Sequence, residues 1–89
     1  MRPLFPLGRI VATPGALEVL APEEPIILLQ RHQSGDWGEV DSHDRRANNK
    51  AIKEGTRLLS AYTLPGGEKV WIITEADRSS TCLLLPSEY

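Results

Sequence analysis

The sequence predicts an α+β fold: a short N-terminal strand, two to three helices, and a C-terminal three-stranded antiparallel meander packed against them. Three observations carry the prediction. Helix-start signatures recur through the first half of the chain, at Thr13-Pro14, at Pro25 and at Asp41. Three β-rich runs, 57–64, 69–76 and 81–85, fill the last third, joined by Pro65-Gly66-Gly67-Glu68 and by Asp77-Arg78-Ser79-Ser80. The whole chain, 89 residues with 40% hydrophobic and 25% charged side chains, suits one small globular domain, 1–89, with a thin core.

Residues 1–7 read as an extended, poorly constrained lead-in, because Pro3 and Pro6 lack donors and push their predecessors out of the helical region. Arg9-Ile10-Val11-Ala12 offers the short strand. Thr13 caps a helix that begins at Pro14 and carries Leu17 and Leu20 on one face; Pro22-Glu23-Glu24-Pro25 stops it near Ala21. Pro25 opens the next helix, with Glu23 and Glu24 at its positive end. Ile26, Ile27, Leu28, Leu29 and His32 wind around most of its circumference, which predicts a buried helix, and Gly35 ends it. Gly35-Asp36-Trp37-Gly38 is a tight loop. Asp41 caps a third helix over about 42–54, with Asp44 three residues on and Gly55 as its stop. Only Ala47, Ala51 and Ile52 are apolar there, so that helix is solvated over most of its girth.

Symmetric closure of the two four-residue loops pairs Tyr62 with Trp71, Ile73 with Leu84, and Glu75 with Cys82. One face then carries Tyr62, Leu64, Trp71, Ile73, Leu84 and Glu75, and the other Leu59, Ala61, Val70, Ile72, Leu83 and Leu85. Both faces are apolar. A layer of helices covers one of them, and the second needs the N-terminal segment or another subunit.

Composition narrows the function classes. Ten Lys+Arg against twelve Asp+Glu give a net charge of −2, without the basic excess of a protein that grips nucleic acid by neutralising phosphates. A single cysteine excludes an internal disulfide, and one Cys with two His cannot complete a standard structural zinc site. No export signal or membrane-length apolar run is visible, and with Cys82 unpaired the expected location is cytoplasmic.

The run Gly8 to Thr13-Pro14-Gly15-Ala16-Leu17 is followed by Arg31-His32, Gly35-Asp36-Trp37-Gly38, Leu59-Ser60-Ala61-Tyr62 and Trp71-Ile72-Ile73-Thr74-Glu75-Ala76-Asp77-Arg78-Ser79, ending in Leu85-Pro86-Ser87-Glu88-Tyr89. This pattern resembles a group of short bacterial proteins usually labelled plasmid-related, or type I restriction methylation subunit. The resemblance covers nearly all of the chain from Pro6 to Tyr89 and implies no particular activity. A methyltransferase does not fit in 89 residues, and no glycine-rich cofactor loop follows a strand. The order strand, helices, meander also looks like that of barnase and RelE-type ribonucleases, which cleave RNA without a metal; this likeness is architectural only.

The best acid–base set is His32, Glu75 and Arg78, since RNA cleavage needs a base, an acid and a cation for the phosphorane charge. The plainer reading places Glu75 in an ion pair with Arg78 or at the sheet edge, and His32 half-buried at a helix end. Asp36 and Trp37 offer a loop that stacks on a base or plugs the core, and Tyr62 and Trp71 share one predicted sheet face as binding candidates. Asp41, His43 and Asp44 suit capping better than a divalent ion; the turn at Asp77 to Ser80 is solvated or holds an anion. Cys82 is a packing residue. Arg45, Arg46, Lys50, Lys53 and Arg57 form a basic stripe diluted by Asp41, Asp44 and Glu54.

The expected function is thus a small non-catalytic protein-interaction module of mobile-element or accessory-gene type. It would self-associate or bind a protein through the sheet face, with no cofactor and no metal. The alternative is a metal-independent ribonuclease using Glu75, His32 and Arg78, with RNA as its partner.

Overall fold

The computed structural model describes residues 3–89; Met1 and Arg2, the start of the expected lead-in, lie outside the described residues. The chain is α+β. Strand β1 (Arg9–Ala12) precedes helices α1 (Pro14–Val19), α2 (Glu24–Gln33) and α3 (Ser42–Glu54). Strands β2 (Leu58–Thr63), β3 (Lys69–Thr74) and β4 (Ser80–Leu84) follow, and a 3-10 turn, Pro86–Glu88, closes the chain. β2, β3 and β4 form the antiparallel meander. β1 joins β4 in parallel, so the order across the sheet is β1-β4-β3-β2.

The helix boundaries follow from local chemistry. The Thr13 hydroxyl accepts from the Ala16 amide at 3.2 Å, and the Asp41 carboxylate from the Asp44 amide at 2.8 Å, each satisfying a donor that the first helical turn leaves without a partner. The Glu24 carboxylate reaches back to the Ala21 amide at 2.6 Å, fixing the turn between α1 and α2.

The register departs from symmetric closure in both hairpins. In the first, Tyr62 lies opposite Val70 and Ala61 opposite Trp71, one residue from the expected pairing. Gly67 takes φ +95° after a turn in which its amide bonds the Leu64 carbonyl, and the Leu64 amide then bonds the Glu68 carbonyl. That is a three-residue loop with a left-handed glycine, which adds a bulge and slips the strands by one. The slip exchanges the two faces of β2. In the second hairpin Ile73 pairs with Cys82 rather than Leu84, because the turn starts at Glu75, with the Arg78 amide on the Glu75 carbonyl and the Glu75 amide on the Ser80 carbonyl. A slip of two leaves the faces unchanged.

The inner face therefore presents Leu58, Ser60, Tyr62, Val70, Ile72, Thr74, Thr81 and Leu83. Ala16 of α1 and Leu28 and Leu29 of α2 pack on its apolar members. The outer face carries Leu59, Ala61, Trp71, Ile73, Cys82 and Leu84. Part of its cover comes from the chain's own end. Tyr89 lies edge-on to Trp71 at 5.7 Å and its hydroxyl accepts from Arg57 at 2.8 Å, while Ile73 and Leu84 are each only 6% exposed.

Three further expectations need correction. α2 is not buried all round: Leu28, Leu29 and His32 face the sheet, whereas Ile26 and Ile27 face solvent. α3 does not join α1 and α2 in the expected helix layer, because it runs along the outer edge of β2, where Ala51 clusters with Leu58, Trp37 and Val40. The lead-in is pinned, with Phe5 buried, the Leu4 amide on the Gln33 carbonyl and the Gln33 amide group on the Phe5 carbonyl.

The β2 edge is closed by two devices. The Asn48 side-chain amide accepts from the Leu59 N–H at 3.0 Å and donates to the Leu59 carbonyl at 2.6 Å, standing in for a neighbouring strand. One step along, the Ala61 N–H bonds the Trp37 carbonyl and the Ala61 carbonyl accepts from Glu39. Gly38 must be glycine there, since a Cβ would sit 2.0 Å from the Ala61 carbonyl oxygen and its φ is +73°.

Candidate functional site

His32 projects from the last turn of α2 onto the inner sheet face and is 0% exposed. Nδ1 lies 2.6 Å from the Ser60 hydroxyl and Nε2 2.9 Å from the Thr74 hydroxyl. Thr74 in turn lies 2.7 Å from the Thr81 hydroxyl, which donates to the Leu7 carbonyl at 2.7 Å. With the ring neutral, as its burial favours, these contacts assign the tautomer. A carbonyl only accepts, so Thr81 spends its single proton on Leu7 and must accept from Thr74; Thr74 must then accept from Nε2–H. The imidazole is the neutral Nε2–H tautomer and receives the Ser60 proton at Nδ1. Burial pushes its pKa down to about 4, and the positive charge of Arg78 acts in the same direction. Phe5 and Trp37 complete the enclosure, both edge-on to the ring at 5.2 and 5.7 Å.

Arg78 sits in the β3–β4 turn with φ +61°. Its guanidinium donates to the carbonyls of Thr56 at 2.7 Å, Ala51 at 2.9 Å, Glu75 at 3.1 Å and Ala76 at 3.2 Å, and lies 5.7 Å from the Phe5 ring centroid. It thereby ties the end of α3 to the hairpin. The bond to Glu75 goes to its backbone. The Glu75 carboxylate turns instead to Arg57 at 3.4 Å, on the solvent side of the outer face. The expected triad is thus divided between a sealed imidazole, a guanidinium occupied by carbonyls, and a surface ion pair.

The aromatic candidates separate as well. Trp37 is buried, stacks on Phe5 at 6.2 Å and donates from Nε1 to Asn49 at 3.0 Å. Tyr62 is buried, donates to the Asp36 carbonyl at 2.6 Å and lies under the Arg31 guanidinium at 4.5 Å; burial pushes its phenol up to about 12. Asp36 is held bidentately by Arg31, at 2.7 and 3.3 Å, and this bond keeps its carboxyl below the usual carboxylate range. The pair lines a concavity of about 580 Å³ with Pro3, Ile27, Gln30, Gln33 and Ser34, where the two charges neutralise each other.

Trp71, in contrast, stays half-exposed. With Leu59, Ala61 and Pro86 it floors a groove of about 380 Å³ on the outer sheet face. Glu39, Asp41, Asp44 and Lys69 also line it. Glu39 accepts from Thr63 and Asp41 caps α3, so both carboxylates are held in place. Of the four binding candidates, Tyr62 and Trp71 border this groove, while Trp37 and Asp36 do not. The acidic rim was not singled out from the sequence; the signal was present in the spacing of Glu39, Asp41 and Asp44 beside a helix start, where capping alone explained two of the three.

Among the described residues no group of three His, Cys, Asp or Glu side chains is placed to hold a metal ion, and no helix is long and apolar enough to cross a membrane. Searches of protein-family models, curated proteins and solved structures found no match to this chain.

Proposed function

We propose that this chain is a small non-catalytic protein-interaction module, of the accessory-gene type that its plasmid-related resemblance suggests, and that it engages its partner through the groove on the outer sheet face. The observation that carries the reading is the groove itself: an apolar floor of Leu59, Ala61 and half-exposed Trp71 beside three carboxylates and one ammonium. A pocket of that make-up suits a peptide segment that places an apolar side chain on Trp71 and a Lys or Arg beside Glu39 and Asp44. What further supports a binding role is that His32 and Arg78 are already committed to internal partners and do not converge with the Glu75 carboxylate.

A panel of short peptides tests the reading. Peptides combining Leu or Phe with Lys or Arg are expected to shift the Trp71 indole resonance saturably, and Trp71→Ala or Asp44→Lys to weaken binding about tenfold or more. Equal responses to acidic and basic peptides, or none, overturn it. RNA cleavage that is lost in Glu75→Gln would instead favour the ribonuclease alternative.

A further inference from the structure

We infer that two copies of this chain associate through the free edge of β1, antiparallel, about a two-fold axis at Val11. β1 lies at the end of the sheet with β4 as its neighbour. The Arg9 and Thr13 amides donate inward, to the Ser79 and Leu83 carbonyls at 3.0 Å each. Alternation along a strand then turns the N–H and C=O groups of Ile10 and Ala12 outward, away from β4. Ile10 is 52% exposed and Val11 40%, on opposite faces of the strand.

Such an edge is matched by another strand, and two features select a second copy. The first is self-complementarity. A two-fold axis at Val11 sets Ile10 opposite Ala12 of the other copy, so that both outward groups of each residue find a partner, and Val11 meets its own equivalent. Arg9 then faces Thr13 of the other copy, and the two arginines avoid each other. The second is closure. The β2 edge is shut by Asn48 and by residues 37–39, so a β1 edge cannot add to the β2 edge of the next molecule. Growth stops at a dimer with one continuous sheet. The strand is only four residues long, so the association is weak and concentration-dependent. It is independent of the groove, which lies on the outer face at the β2 side, and a monomer retains that groove.

Sedimentation of the full chain from about 10 μM to about 1 mM tests this. The expected result is a mass that rises from monomer to dimer. Ile10→Pro removes an N–H that points away from β4, a position an edge strand tolerates, and Val11→Lys sets two ammonium groups face to face at the axis. Each is expected to weaken association at least tenfold with an unchanged circular dichroism spectrum; if Ile10→Pro unfolds, Val11→Lys decides. A monomer throughout the range overturns the inference, and so does a dimer that both folded variants leave intact. Peptide binding in the groove is scored separately, so either proposal stands or fails alone.

Discussion

The Thr81 hydroxyl has one proton, and spending it on the Leu7 carbonyl sets the direction of the whole chain of bonds through Thr74 and His32 to Ser60. Thr81→Val keeps the shape of the side chain but leaves the Leu7 carbonyl without this donor and Thr74 without an acceptor. Urea unfolding is expected to show a loss of about 1–3 kcal/mol, against little change for a Thr→Val swap at exposed Thr63. The sequence placed His32 at the end of an apolar helix and, in the plainer reading, half-buried; it is instead fully enclosed on the inner sheet face. Its partners were not legible. Ser60, Thr74 and Thr81 sit inside runs whose apolar neighbours dominated the face assignment, and the one-residue slip at Gly67 is what brings Ser60 to the His32 side. Arg78 teaches the same lesson. Its charge suggested chemistry, whereas its four carbonyl partners make it a strut. Arg78→Ala is expected to cost about 2–3 kcal/mol, and Arg78→Lys to recover little of it, since a single ammonium cannot span the carbonyls of Ala51 and Thr56 as a fork does.

Helices were legible at their ends, where one side chain meets one amide: Asp41 and Thr13 cap as their positions predict. The meander was legible from its two short loops, but its register and the parallel docking of β1 on β4 were not, because they depend on turn dihedrals and on a partner far away in sequence. The closed β2 edge belongs to this scale. Asn48 looked like one more polar residue of a solvated helix, yet it is buried and pairs with both backbone groups of Leu59. Asn48→Asp retains an acceptor for the Leu59 N–H but sets a carboxylate oxygen against the Leu59 carbonyl. The variant is expected to lose about 2–3 kcal/mol and to show faster amide exchange at Leu59 than at Tyr62, which bonds inward to β3. Equal exchange at both residues would contradict the strand-mimic role.

For the molecule as a whole, the buried imidazole couples folding to pH. His32 has a folded pKa of about 4, below its ordinary value of 6.5, so the unfolded chain binds the extra proton more readily between these values. Stability is therefore at its plateau above pH 6.5 and falls as the pH drops toward 4, by about 1.4 kcal/mol per unit and about 3 kcal/mol in all. The diagnostic window is pH 6.5 to 5. Asp36 and Glu88, whose carboxyls are held low by Arg31 and by Thr13, lose their contributions only at more acid pH. The denaturation midpoint is expected to decline through that window. A flat profile from pH 7 to 5 would mean that His32 is not sealed.

His32 and Arg78 are committed to internal partners that hold the sheet to α2 and α3, while the Glu75 carboxylate stays in a surface ion pair with Arg57. Nitrogen-15 NMR of the His32 ring, with resonances assigned by comparison with His43→Gln, reads out whether that imidazole is sealed and neutral. The expected result is a neutral ring, protonated at Nε2, that does not titrate between pH 8 and 5. A ring that protonates near pH 6.5, or that carries its proton on Nδ1, would contradict it.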